Sequence, residues 1–136
     1  MNPAPLQPTD RTSLRAFIDW LARQLKPHTE TPRLDAQVLL GHILGKPRSW
    51  LLAHPEAEIT PQQKKALERS LSRLEAGVPL PYVLGHWEFY GLDFNIDPAV
   101  LIPRPETELL IEQALAWLRD HPDRRRAADI GTGSGC

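Results

Sequence analysis

The chain has 136 residues, 41% of them hydrophobic and 24% charged, with sixteen basic and seventeen acidic side chains and a formal charge of -1. That mixture belongs to a soluble globular chain with room for one ordinary domain or two small ones, and excludes a disordered or fibrous protein and a complete large enzyme. The near-neutral balance supplies no whole-chain field for a polyanion or an anionic membrane, and the single cysteine, Cys136, excludes an internal disulfide and a thiolate zinc cluster.

The five histidines lack metal-ligand spacing, so no metal is expected. No basic-then-apolar segment opens the chain, and no apolar run approaches the ~20 residues that span a bilayer, so the expected location is cytoplasmic. Residues 1–10, MNPAPLQPTD, hold three prolines and little to bury, which reads as a loose leader.

From Thr12 or Ser13 as N-cap, Leu14, Phe17, Ile18, Leu21 and Leu25 recur at helical spacing until Pro27 closes the segment. Thr31 and Pro32 open a second helix, with Leu34, Val38, Leu39 and Leu40 as its apolar stripe and Gly45 at its end. PRSWLLAHP is short enough for helix and strand readings to compete; Trp50, Leu51 and Leu52 are assigned to the core. Thr60 and Pro61 start the clearest helix, with Ala66, Leu67, Leu71 and Leu74 on one side and a left-handed stop at Gly77. Residues 12–77 therefore read as a helical bundle.

The pattern changes at VPLPYVLGHWEFYGLDFNID, where aromatic and branched residues alternate with polar ones around Gly91. Two short strands in a hairpin are expected there, limited by Pro79, Pro81 and Pro98. A further helix, ETELLIEQALAWL, should bury Leu109, Leu110, Ala114, Leu115 and Leu118, and residues 119–126 form a charged connection. The chain then runs through AADIGTGSGC, an apolar stretch of small residues followed by an acidic residue and three alternating glycines.

A strand, an acidic residue and a glycine-rich turn make the opening of a doubly wound α/β domain, whose ligands sit beyond the carboxyl ends of the strands. Glycine permits positive φ and close approach of backbone amides to a ligand. A dinucleotide fingerprint needs glycine where Cys136 stands, and a phosphate loop needs a lysine that does not follow, so both phosphate-binding readings lose ground. The Asp-x-Gly-x-Gly-x-Gly form at Asp129, Gly131, Gly133 and Gly135 is typical instead of class I methyltransferases; the bland alternative is a flexible glycine-rich terminus.

A second motif, LIPRPETELLIEQAL over residues 101–115, precedes that turn. With the helical bundle carrying Asp35 and Ala36, the segment GVPLPYVLGHWEFYGLDF and DIGTGSG, it resembles the release factor glutamine methyltransferases, the HemK/PrmC family. A related branch acting on a large-subunit ribosomal protein departs from Pro-Arg-Pro-Glu-Thr-Glu.

The resemblance implies an α+β chain: a helical release-factor-docking domain over 1–78, a β-hairpin linker over 79–100, and over 101–136 the start of a class I methyltransferase α/β (Rossmann-like) domain. It also implies S-adenosyl-L-methionine as cofactor, peptide chain release factors as protein substrate, and methyl transfer to the glutamine amide nitrogen of a Gly-Gly-Gln tip. Asp129, Gly131, Thr132, Gly133, Ser134 and Gly135 become the implied cofactor residues, joined by Arg104, Glu106 and Thr107, which otherwise only cap and charge the next helix. The family's Asn-Pro-Pro-Tyr active-site loop does not occur in these residues, so no catalytic residue is assigned and the chain alone is expected to be inactive.

Other features read blandly. Arg124, Arg125 and Arg126 lie beside Asp120 and Asp123 as a solvated connection, as do Lys46 and Arg48 around Pro47, and no direct nucleic-acid binding or membrane contact is expected. Trp20, Trp50, Trp87 and Trp117 are assigned to cores, Cys136 has no basic neighbour to activate it, and a monomer is expected. The rival functions are an adenine N6 methyltransferase, which would need a basic, aromatic-lined groove, and a non-catalytic docking module.

Overall fold

Ser13 is the first residue with a definable role: its side chain accepts a hydrogen bond from the Ala16 N–H and starts helix α1, Leu14–Leu25. The computed structural model describes residues 13–124 and 126–136. The leader expected over residues 1–10, Thr12 as an alternative cap, and Arg125 lie outside the described residues. The chain divides into two compact units between Val83 and Leu84.

In the first unit, α1 buries Leu14, Phe17, Ile18, Leu21 and Leu25, as the spacing predicts, and Trp20 as well. Two orphan N–H groups of its first turn are satisfied by the loop that follows the third helix: Leu14 donates to the Ala57 carbonyl and Arg15 to that of Pro55. Helix α2, Pro32–Leu44, packs against α1, buries Ala36, Leu39 and Leu40, and ends at Gly45 with φ +63°. Leu34, expected on that stripe, is 39% exposed. It lies two residues from Ala36, which is about 200° around a helix, so the stripe that buries Ala36 turns Leu34 outward.

Gly41 of α2 is glycine because of a close approach: an added Cβ would sit 2.9 Å from the Lys46 carbonyl oxygen and 3.8 Å from Leu51. That crossing brings in helix α3, Arg48–Ala53, which settles the ambiguous PRSWLLAHP segment as helical. Leu51 is buried against the bundle, but Leu52, assigned to the core, is 56% exposed, since a six-residue helix buries one side and neighbouring residues diverge. Trp50 is half-buried, stacked on His54 at 4.3 Å with Lys46 over its ring. Arg48 Nε donates to Gln37 Oε1 at 2.7 Å and so satisfies that buried oxygen, whereas the buried Trp20 Nε1 has no hydrogen-bond partner among the described residues.

Helix α4, Pro61–Glu75, is fixed at both ends by its own sequence. Thr60 and Gln63 form a reciprocal capping box. At the other end the Val78 N–H reaches the Arg73 carbonyl and the Gly77 N–H that of Leu74, with Gly77 at φ +84°, which is a Schellman stop. Leu67, Leu71 and Leu74 are buried, Ala66 is half-buried, and the helix packs on α2.

A one-turn helix α5, Leu80–Leu84, which the sequence pattern does not predict, precedes the expected hairpin. Pro81 lies in its first turn, where a missing N–H costs nothing, and the guanidinium of Arg73 donates to the carbonyls of Tyr82 and Val83 near its end.

In the second unit, strands β1, His86–Phe89, and β2, Leu92–Asn95, pair antiparallel with Phe89 opposite Leu92. The two residues between them, Tyr90 and Gly91, both have positive φ, 52° and 75°, the signature of a type I′ turn. His86 also contacts Asp93 at 2.8 Å. Trp87 is half-buried and Phe89 and Ile96 are buried.

Helix α6, Pro105–Asp120, forms as its periodicity predicts, but none of its residues is buried. Leu109, Leu110, Ala114, Leu115 and Leu118, expected as its inner face, are exposed, and Trp117, assigned to a core, is 50% exposed and stacks on His121 at 4.2 Å. Periodicity identifies the face that would be buried, and no described element covers it. Residues 126–129 are likewise not a strand, because a strand exists only with a neighbour to complete its hydrogen bonds and the one described sheet is the β1-β2 pair. Of the strand and turn expected to open a Rossmann-like domain, only the turn is found among the described residues.

Candidate functional site

Two segments of the second unit carry the residues singled out by sequence. In the first, Arg104 is the N-cap position of α6 with extended backbone, φ -102° and ψ 137°, as the residue before a proline prefers. Pro105 then occupies the first helical turn and the Thr107 N–H donates to the Arg104 carbonyl at 2.9 Å. Arg104, Glu106 and Thr107 are all exposed, and Glu106 and Glu108 place negative charge where the helix dipole favours it.

Glu108 does something its sequence position does not reveal. Its Oε1 accepts a 2.9 Å hydrogen bond from the Tyr90 N–H, while Glu88 Oε1 accepts one of 3.0 Å from Gly91. Both outward-facing amides of the hairpin turn are therefore held by carboxylates. The bonds offset the cost, about 1–2 kcal/mol, of placing a non-glycine residue such as Tyr90 in a left-handed conformation. The Glu108 bond also ties the first turn of α6, and with it the Pro-Arg-Pro-Glu-Thr-Glu segment, to the hairpin tip. The sequence signal available was the Tyr-Gly pair between two strands, which marks a tight turn but not its partner.

In the second segment, Gly131, Gly133 and Gly135 have φ of 85°, 58° and 88°. An added Cβ would meet nothing within 4 Å at Gly131 or Gly135, so glycine is required here for conformation and not for space. The Thr132 hydroxyl donates to the Asp129 carbonyl at 3.4 Å, the Gly135 N–H to the Thr132 carbonyl at 2.9 Å, and Ser134 Oγ meets Cys136 Sγ at 2.9 Å. The Asp129 carboxylate is exposed and Ile130 is 96% exposed. The structure thus brings Asp129, Thr132, Ser134 and the three glycines into one sharp turn. Among the described residues no hydrogen bond or ion pair joins that turn to Arg104, Glu106 or Thr107.

The donor set suits a zwitterionic amino-acid ligand in kind: a free carboxylate for an ammonium, and amides in positive-φ backbone that a ligand can approach closely. Among the described residues no three His, Cys, Asp or Glu side chains gather into a metal site, and no helix is long and apolar enough to cross a membrane.

The family model for the PrmC N-terminal domain matches residues 16–85, just over half of the chain. Proteins named release factor glutamine methyltransferase match further. The one from Coxiella burnetii is 44% identical over 123 residues, covering 90% of this chain and 44% of its own length. That from Koribacter versatilis is 43% identical over 92% of this chain and 44% of its own length, and that from Escherichia coli 44% identical over 79% and 38%. The chain spans about two fifths of the length of the curated relatives it matches. The family match covers α2, α3 and α4 with their caps and Gly-dependent crossings, and the resemblance read from the sequence motifs points the same way, so this chain belongs to the PrmC N-terminal domain family.

Proposed function

We propose that this chain supplies the docking domain and the leading part of the cofactor site for S-adenosyl-L-methionine-dependent methylation of a glutamine side chain in peptide chain release factors. The observation that carries the reading is 44% identity, over 90% of the chain, to a protein named for that activity. In this reading the helical unit grips the release factor. Asp129 takes the ammonium of the cofactor's methionine part, and the amides of the Gly131–Gly135 turn line its approach. Arg104, Glu106 and Thr107, held by the Glu108 contact to the hairpin, form a second wall.

The cofactor supplies an electrophilic methyl group on a sulfonium. The glutamine amide nitrogen is a weak nucleophile because its lone pair is delocalised, so the protein's task is to orient that nitrogen and hold its hydrogens. No Asn-Pro-Pro-Tyr stretch that would do so occurs in the 136 residues, and the chain by itself is expected neither to bind the cofactor tightly nor to turn over.

A chimera tests the reading: this chain replaces the matching segment of the Coxiella burnetii relative and is given radiolabelled methyl donor and an unmodified release factor. Label should enter the release factor, and its entry should stop when Asp129 is changed to Ala. A folded chimera that leaves the release factor unlabelled would overturn the assignment.

A further inference from the structure

Between α2 and α4 of the helical unit runs a groove of about 720 Å³, lined by His42, Ile43, Gln62, Arg69 and Arg73 with the hydroxyls of Thr60 and Ser70 beside them. No aspartate or glutamate lines it, although the chain as a whole is slightly acidic. Two guanidinium groups without a lining counter-charge make this a local positive field on a near-neutral protein.

The two arginines are not equivalent. Arg73 is committed to the Tyr82 and Val83 carbonyls, whereas no ion pair or hydrogen bond engages Arg69 among the described residues. Arg69 is exposed and forks toward carboxylate geometry with five donors. The lining contains no tryptophan, tyrosine or phenylalanine, so single-stranded nucleic acid would find phosphate contacts but no stacking platform.

We infer that this groove is a docking site for an acidic, Asp- or Glu-bearing segment of a protein partner, with Arg69 as its principal contact. The natural source of that segment, the release factor, rests on the function proposed above; the chemistry of the groove does not.

The test uses the whole chain and a fluorescent peptide of alternating Glu and Ala, read by anisotropy at low ionic strength. The peptide should bind, and binding should weaken as salt rises. Arg69→Glu should weaken it about tenfold, since it turns an attraction into a repulsion of similar size. Arg23→Glu, a control on α1 away from the lining, should stay within about twofold, because the groove is untouched. Should Arg69→Glu lose its helical circular dichroism, Arg69→Gln takes its place. Equal binding by the Arg69 variant, equal loss with Arg23→Glu, or equally tight binding of an oligouridylate of matched charge overturns the proposal. Binding of an intact release factor is measured in parallel. Peptide binding that depends on Arg69 without release factor binding keeps the groove and sinks the function. Release factor binding indifferent to Arg69, with no peptide binding, does the reverse.

Discussion

Replacing Leu21 by Ala tests whether the helical unit is held by the core described above. Leu21 is fully buried on α1, which packs against α2. Three carbons leave the core, which at about 0.8 kcal/mol each removes about 2.4 kcal/mol of transfer free energy. The unfilled space adds to that, and comparable leucine truncations cost about 3–5 kcal/mol in total. A unit of roughly 70 residues has a stability of about 3.5–10 kcal/mol, so a third or more of it disappears. At about 4–8 °C per kcal/mol for a domain this size, the thermal midpoint should fall by at least about 12 °C. Leu52→Ala, the same chemistry on a 56% exposed side chain, should cost about 0.5 kcal/mol or less. Urea unfolding followed by helical circular dichroism compares them, and the dependence on urea should keep its slope so that the midpoint reports stability alone. Equal midpoints for the two variants would refute the assignment of the core.

Three other outcomes follow from single contacts. Thr60→Ala removes the hydroxyl arm of the capping box, leaving the bond from the backbone N–H of residue 60 to Gln63, and should cost about 1 kcal/mol in the same unfolding assay. Gly91→Val puts a branched side chain at φ +75° and should destabilise the hairpin by about 1–2 kcal/mol, seen as loss of the cross-strand contacts between Phe89 and Leu92 by nuclear magnetic resonance. Glu108→Gln replaces a charged acceptor with a neutral one, so exchange of the Tyr90 amide with solvent should quicken about fivefold while the Gly91 amide, held by Glu88, stays as it was.

The helices were legible because their ends are written locally. Thr60 with Gln63, Pro32, Pro61 and Gly77 act within a few residues, and the structure uses each as a start or stop. Misreadings came where the deciding partner is distant in sequence. The pattern before the hairpin does not disclose helix α5, in which Pro81 suits the first turn and Arg73, ten residues before Val83, supplies donors near the end. Leu34 and Leu52 failed as core residues because apolar type does not say which way a side chain points. Glu108 explains itself locally as a first-turn charge, so nothing in the sequence discloses its bond to Tyr90 eighteen residues earlier.

The two halves of the candidate cofactor segment differ for the same reason, and the difference sets an affinity. The turn over Gly131–Gly135 is closed by its own bonds, Gly135 to Thr132 and Thr132 to Asp129, so its shape needs no other part of a domain. Residues 126–130 form no ladder, and Ile130 faces solvent. Fixing five such backbone positions behind a ligand costs about 1–2 kcal/mol each, or about 5–10 kcal/mol. Micromolar affinity is worth only about 8 kcal/mol, so a ligand of this class has little left over after ordering that stretch. Isothermal titration of the 136-residue chain with S-adenosyl-L-methionine should accordingly give a dissociation constant weaker than about 1 mM. Micromolar binding would mean that residues 126–130 are already set without a sheet beside them, and the conformational argument would fail with it.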